Sequence, residues 1–274
     1  MRITMKTYLK SKGLYLFIAA FSFVSISGCD STSSEDEAPD VIPSEVFALP
    51  VDLFNQTASK DAMPGANFTA AALRVWPVSL IISANLIIPS LTTLSALDTN
   101  PVFENGAWQW TSITNSGGQE IQFILSAERF GGGTSWSMRI TSTNPLGGEV
   151  FDDFELFSAE TSDNGTSGSW QLNYLLNGES QNVLNASYTI TSDTEKSITF
   201  NVPQTAQQAA GDSVAYTENG DARTFIWQQV AESISHNVTW DATTLEGTIS
   251  ATNFNGGTMG CWDANLDDVA CSPS

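Results

Sequence analysis

Basic residues and histidines are scarce in this chain. Ten Lys and Arg stand against thirty Asp and Glu, and the formal net charge at pH 7 is −20. Nucleic acids and anionic membrane surfaces favour basic patches, so both are poor partners for such a chain. The single histidine, His236, excludes a His-rich zinc site. It falls on the same strand face as Ile234, Val238 and Trp240, which favours a hydrogen-bonded inward or edge histidine over a general base.

The signatures of common enzyme classes are missing as well. The chain contains no Gly-x-Ser-x-Gly elbow. The glycines 131–133 are typical of a hairpin turn and lack the spacing of a phosphate-binding loop. Neighbouring carboxylates such as Asp152 and Asp153 could serve a glycosidase, but thirty acids produce such pairs by chance. We therefore predict a protein without catalysis and assign no catalytic residue.

Residues 1–28 have the three parts of an export signal. A basic start lacks acidic residues, an apolar core covers residues 14–24, and the segment Ile26-Ser27-Gly28-Cys29 follows. That core is too short for a spanning helix. The last four residues resemble the bacterial lipobox, in which an aliphatic residue and two small residues precede the cysteine. The resemblance implies that Cys29 becomes an acylated N-terminus held in a lipid bilayer; the alternative is an ordinary secreted protein with an unmodified cysteine.

Residues 29–48 are predicted to form an acidic, disordered tether. They are rich in Ser, Asp, Glu and Pro and offer little apolar surface to offset the entropy of ordering. The mature chain would keep six basic residues against thirty acidic ones, a net charge of −24. We interpret this charge as a feature that favours solubility or an adaptation to high salt, with cation binding as the alternative. The expected location is the bacterial cell envelope, at the outer membrane (periplasmic face or cell surface) in preference to the inner membrane.

Residues 49–274 are long enough for one domain, and its first part is apolar. The Ala- and Leu-rich segment 62–99 predicts two or three short helices, with Asn67 as an N-cap and breaks near Pro77 and Pro89. Buried strands are the alternative for residues 78–88. Because Arg74 and the prolines interrupt the apolar run, we do not predict a second membrane span.

From 102 to 260 the pattern changes to short alternating segments separated by turns. Ile121, Phe123 and Leu125 share one face, as do Trp136, Met138 and Ile140, while Gln122, Glu128, Arg139, Gln171 and Asn173 fall on the opposite face. Such alternation predicts a mainly β fold. We expect an antiparallel meander curled into a barrel or half-barrel, with the apolar helical segment packed on it. Its architecture resembles lipid-handling half-barrels and lipocalin-like barrels of bacterial envelopes, without a shared motif.

The C-terminal loop 261–271 begins and ends with cysteine. In an exported protein Cys261 and Cys271 are expected to form a disulfide. Asp263, Asn265 and Asp267 follow the spacing at the start of a calcium loop and are the candidate Ca²⁺ ligands. The glycine and glutamate of such a loop are absent, so a solvated acidic loop is the favoured interpretation. No other cofactor is predicted.

Three tryptophans occupy comparable strand positions: Trp108, Trp136 and Trp170. Aromatic faces at such positions can bind sugars, although core packing is the commoner use. The sequence as a whole predicts a membrane-anchored envelope lipoprotein with a binding or structural role. The alternatives are a carrier of a lipid or other apolar ligand in the concave face of the sheet, and a carbohydrate-binding protein. Its expected partners are the bilayer through Cys29 and either an apolar ligand or an envelope protein.

Overall fold

A computed structural model describes residues 37–42, 44–47, 49–54, 64–97, 100–116, 119–142, 150–176, 178–204 and 209–271. The predicted signal peptide 1–28, Cys29 and the first part of the tether lie outside these residues. One long helix, α1 (Ala66–Leu97), precedes fourteen strands. They are β1 Val102–Glu104, β2 Ala107–Ser116, β3 Gln119–Phe130, β4 Gly133–Ser142, β5 Phe154–Ser162, β6 Ser167–Leu176, β7 Glu179–Ser192, β8 Glu195–Asn201, β9 Ser213–Asn219, β10 Ala222–Gln229, β11 Ile234–Asp241, β12 Gly247–Ala251, β13 Gly260–Trp262 and β14 Asp268–Val269.

The strands form one antiparallel sheet in which each strand pairs with its neighbours in the chain, in the order β1 to β14. The predicted meander is therefore confirmed. Local sequence specifies its turns: Asn105 and Gly106 both have positive φ, 54° and 84°, as a two-residue type I′ hairpin requires. In β4, Trp136, Met138 and Ile140 are buried as the alternation predicts. Within the described residues β1 and β14 do not pair, so the sheet is open.

The sheet curls around the N-terminal part of the chain. Helix α1 contacts β2 and β3 near one end of the sheet and β11 to β14 at the other, so both ends approach the same helix. The middle of the concave face is covered by the described residues of 37–54, which we call the strap. Rings on opposite sides of this interface meet: Phe47 lies 5.7 Å from Phe157, and Phe54 lies 5.0 Å from Trp240, between ring centroids.

The strap belongs to the core of the domain. Its buried side chains include Ile42, Val46, Phe47, Leu49, Val51 and Phe54. Two hydrogen bonds fasten it to distant strands, from Arg129 Nη2 to the carbonyl of Glu37 (2.8 Å) and from Tyr216 Oη to the carbonyl of Pro50 (3.5 Å). The predicted end of the tether at residue 48 is therefore wrong, because the chain joins the core about ten residues earlier.

Helix α1 is continuous, so the expected break into two or three helices is wrong, and so is the strand alternative. Pro77 and Pro89 lie inside it, although each lacks the N–H that an α-helix uses. Packing of the inner face compensates, since Ala71, Val75, Val78, Ile82 and Leu86 are buried against the core. Tertiary contacts outweigh the local signal of the prolines here.

The helix is capped from outside its own sequence. The Asp268 carboxylate in β14 accepts the N–H groups of Ala66 (3.1 Å) and Asn67 (2.8 Å). Asn67 is not the N-cap that the sequence predicts, because its Nδ2 donates to the carbonyl of Cys261 at 2.9 Å. Gly65 fits this junction because a Cβ there would clash with the Asp268 carboxylate.

Candidate functional site

The outer face of α1 is the most unusual surface of the described structure. Leu73, Trp76, Leu80 and Ile81 recur at helical spacing and are 68%, 42%, 49% and 58% exposed. We call these four residues the outer stripe. The opposite face of the same helix carries the buried core residues, so α1 is apolar on both sides. An apolar helix of this kind is normally covered all round.

Charge is almost absent from this helix. Arg74 is the only ionisable residue in Ala66–Leu97, and its side chain turns inward. Its Nε donates to His236 Nδ1 (3.1 Å), its Nη1 donates to the carbonyl of Ala70 (2.8 Å), and its guanidinium lies 5.5 Å from the ring centroid of Phe254. The outer stripe therefore belongs to an uncharged helical face in an otherwise acidic protein.

The contacts of α1 place its middle at one of the two rims that the ends of the strands form. We call the strand ends at the turns after β1, β3 and the other odd strands the upper rim, and the opposite ends the lower rim. Arg74 meets His236 near the start of β11 and Phe254 in the β12–β13 loop, and Asn85 Oδ1 accepts a hydrogen bond from Tyr174 Oη near the end of β6 (2.8 Å). All three partners belong to the lower rim, so α1 crosses it between β11 and β6.

By length and composition, the Ala66–Leu86 part of α1 would pass for a membrane span. The buried core helix of a soluble protein passes the same test. Here Phe68 packs edge-on against Trp262 at 5.6 Å and stacks on Phe54 at 5.5 Å. These contacts fix the inner face of α1 to the β domain, so the helix lies along the protein.

His236 is buried behind α1 and is only 2% exposed. Because Nδ1 accepts from Arg74, Nε2 carries the proton and donates to Gln229 Oε1 at 2.8 Å. The imidazole also stacks on Trp227, with ring centroids 5.0 Å apart. Burial first, and the Arg74 charge second, lower the pKa of His236 to about 4. Both ring nitrogens make hydrogen bonds, as expected for the inward, hydrogen-bonded histidine that the sequence indicates.

A second polar cluster lies on the inward face near the upper rim. Glu218 Oε1 accepts a hydrogen bond from Tyr216 Oη (2.7 Å) and pairs with Lys196 Nζ (3.3 Å) and Arg223 Nε (3.6 Å). Burial, followed by the bond to Glu218, raises the pKa of Tyr216. The cluster ties β8, β9 and β10 together and satisfies its own charges, which indicates a structural role.

The C-terminal loop holds the predicted disulfide, Cys261–Cys271, with a Cα–Cα distance of 5.3 Å. Of the candidate calcium ligands, Asp263 uses Oδ1 to accept the backbone N–H groups of Asn265 (2.9 Å) and Asp267 (3.0 Å). The neighbouring Asp268 caps α1. Among the residues that the structure describes, no group of three or more His, Cys, Asp and Glu side chains could hold a metal ion. One carboxylate oxygen of Asp263 is thus used inside the loop itself.

The tryptophans divide between core and rim. Trp136 and Trp170 are 1% and 3% exposed, so neither ring can stack on a sugar in this conformation. Trp108 is half-buried beside Phe103, with ring centroids 4.9 Å apart. Trp136 donates its indole N–H to Thr161 Oγ1 (3.0 Å), whereas the buried Nε1 of Trp170 has no hydrogen-bond partner within the described structure.

Comparison of the chain with protein-family models, curated proteins and solved structures finds no match. The candidate site therefore rests on its geometry alone. Sequence reasoning did not identify the outer stripe, although a signal for it was present. The residues at 73, 76, 80 and 81 are as apolar as those at 71, 75, 78 and 82, and a helix that is apolar all round needs a partner on both faces.

Proposed function

We propose that this protein is a lipid-anchored protein of the bacterial cell envelope with a binding or structural role and no catalysis. The outer stripe carries this proposal. Four large apolar side chains, held in place by a packed inner face, present an uncharged surface that is typical of a binding site. The two buried titratable clusters, at His236 and at Glu218, are hydrogen-bonded within the protein and favour a scaffold over an active site.

The anchor is inferred from the sequence around Cys29. The basic start, the short apolar core and the lipobox-like cysteine are consistent with acylation after export. A disulfide between Cys261 and Cys271 is weak support for a location outside the cytoplasm. Several acyl chains on one residue hold a protein stably at a bilayer, whereas one chain does so only marginally.

Detergent-phase partitioning tests the anchor. The wild-type protein, expressed in a bacterium with its own leader, is expected to enter the detergent phase. Cys29→Ser is expected to move it to the aqueous phase, because the acylated thiol is lost. Ser34→Ala in the same segment is the matched control and should partition like the wild type. If Cys29→Ser leaves partitioning unchanged, the lipoprotein assignment is wrong.

A carrier role is the second candidate, and Trp170 is the observation that favours it. Its indole N–H is buried without a partner among the described residues, and the ring of Phe47 in the strap lies 6.0 Å from the Trp170 ring, between centroids. A buried donor without a partner is costly, and the carbonyl of a bound lipid ester would satisfy it. The strap occupies the concave face, so such a ligand would have to displace it.

Lipid extraction and mass spectrometry of purified Cys29→Ser protein, prepared without detergent, test the carrier role. One extracted lipid per protein, lost in Trp170→Phe, would support the carrier. Protein free of lipid would leave the surface-binding role as the better explanation. The carbohydrate alternative has no such support, since Trp136 and Trp170 are both core residues.

A further inference from the structure

We propose that the outer stripe of α1 is a second membrane contact and inserts into the surface of the same bilayer that holds Cys29. This inference rests on the proposed lipid anchor, which brings the domain close to a membrane. The occupant of the stripe would be the boundary between headgroups and acyl chains. There the four side chains leave water without removing any charge from it.

The composition of the stripe suits this boundary. Leucine and isoleucine supply apolar surface, and Trp76 combines a large apolar ring with one N–H donor, the property that concentrates tryptophan at membrane interfaces. Helices that lie in a membrane surface bury one apolar face to a depth of roughly 5–10 Å. The inner face of α1 is fixed to the sheet by Phe68 and its neighbours, so the helix can lie on the bilayer without crossing it.

The chain between the anchor and the fold is long enough to allow this contact. Glu37 is held by Arg129, the residue before the last in β3, and therefore lies near the upper rim. Eight peptide links join Cys29 to Glu37, and a chain of that length reaches at most about 26–29 Å. A ten-residue strand such as β4 rises roughly 33 Å along its axis, or about 25 Å when it tilts as barrel strands do. The lower rim can thus meet the bilayer while Cys29 remains in it.

A second copy of the chain is a weaker candidate for the occupant. Each mature chain would carry a net charge of −24, so two copies repel each other over their whole surfaces. A bilayer surface of neutral lipids carries no such penalty. The same reasoning predicts how binding responds to salt. Salt screens the repulsion between the acidic protein and an anionic membrane, so binding to such a membrane should become stronger as the salt concentration rises.

Vesicle flotation with the full mature chain carrying Cys29→Ser tests the inference without the anchor. The probes are phosphatidylcholine vesicles and vesicles of phosphatidylethanolamine and phosphatidylglycerol at 3:1. We expect flotation with both, weaker on the anionic vesicles at low salt and restored at high salt. Leu80→Asp combined with Ile81→Asp should reduce the bound fraction at least tenfold. Phe130→Asp is the matched control, because Phe130 is 48% exposed at the upper rim and should not matter.

The other results would overturn the proposal. Absence of flotation with both types of vesicle would exclude a membrane contact through α1. Equal losses of binding in the stripe variant and the Phe130 control would exclude it as well. A dimer in sedimentation velocity that the stripe variant abolishes would assign the stripe to a second copy. Circular dichroism and thermal unfolding of each variant keep these results separate from misfolding. Failure of flotation would leave the Cys29 anchor untouched, since detergent partitioning tests that claim separately.

Discussion

The few basic side chains of this protein have partners that differ in charge and burial. Lys196 and Arg223 share the buried carboxylate of Glu218, Arg139 pairs with Asp153 at 2.6 Å, and Arg74 serves a neutral histidine. The chain has thirty acids, and among those that the structure describes most are exposed and only a few contribute to the fold. Mutations of acids should therefore differ sharply in their effect on stability.

Glu218→Gln tests this difference. The amide can still accept the Tyr216 hydroxyl, but it leaves two largely buried cations without a negative charge. We expect the free energy of unfolding to fall by about 2–4 kcal/mol, as when one partner of a buried ion pair is removed. Urea unfolding measures this loss. Glu160→Gln on the exposed face of β5 is the control and should change stability by less than about 0.5 kcal/mol; equal losses in both would contradict a structural role for the cluster.

His236 should make stability depend on pH. The unfolded chain takes up a proton at this residue near its ordinary pKa of about 6.5, whereas the folded protein does so only near pH 4. Between these values the unfolded state binds more protons, so the stabilisation present above about pH 6.5 disappears as the pH falls to 4. The loss is at most about 3 kcal/mol.

Urea unfolding at pH 7 and pH 4.5 measures this effect. Carboxylates also contribute to acid destabilisation, but they are common to the wild type and to His236→Gln. We expect the loss of unfolding free energy between the two pH values to be smaller in the variant by about 2 kcal/mol. The same loss in both proteins would show that His236 does not resist protonation.

At the scale of elements, sequence patterns predict what neighbours in the chain decide and miss what distant contacts decide. Alternation identifies the inward residues of β3 and β4, and the Asn105–Gly106 pair marks a hairpin. The prediction that Asn173 lies on the face opposite the apolar residues is wrong. The register between β6 and β7 shifts after Leu172, which buries Asn173 and lets its Nδ2 donate to the carbonyl of Glu155 at 3.3 Å. No local pattern announces a bulge of this kind.

The start of α1 and the packing of the strap could not be predicted from the sequence, because contacts with distant residues decide both. The carboxylate that caps the helix follows it by about 200 residues, and the strap has no regular periodicity because a 3₁₀ turn, Ser44–Phe47, interrupts it. Its acidic and proline residues resemble those of the tether before it. Only the concave face of the sheet, formed far later in the chain, gives its apolar residues a place to pack. The stripe of α1 could have been found from the sequence, whereas the strap could not.

Asp268→Ala should weaken the start of α1. It removes two hydrogen bonds from a carboxylate to helix N–H groups, together with a negative charge at the positive end of the helix. A loss of about 1–2 kcal/mol of unfolding free energy is expected from chemical denaturation. The neighbouring acid provides the control, since Asp267→Ala removes an exposed carboxylate and should have little effect. An unchanged Asp268 variant would contradict the capping role.

Phe47→Ala tests whether the strap is part of the core. The ring is fully buried between Phe157 and Trp170, so its removal leaves a cavity and should lower the unfolding free energy by about 3–5 kcal/mol. Asp52→Ala on the exposed side of the strap should be nearly neutral. If Phe47→Ala unfolds at the same denaturant concentration as the wild type, the strap contributes nothing to folding.

For the whole molecule, one arrangement explains most of these features. A one-sided meander buries its apolar face under its own strap and helix, and the helix then exposes a second apolar face. We expect the acidic surface to keep the domain soluble and to repel anionic surfaces, and we propose the uncharged stripe as the one region where a bilayer can approach. With an anchor at Cys29, the protein would touch its membrane at two places, through acyl chains and through α1.

The central claim is tested most directly by the depth of Trp76 in the membrane. The native lipidated protein is reconstituted in vesicles whose acyl chains carry bromine, which quenches tryptophan fluorescence only at short range. We predict quenching of the wild type, and its loss in Trp76→Phe while the protein remains bound through Cys29. Quenching that is absent in the wild type, or that persists unchanged in Trp76→Phe, would contradict insertion of the outer stripe.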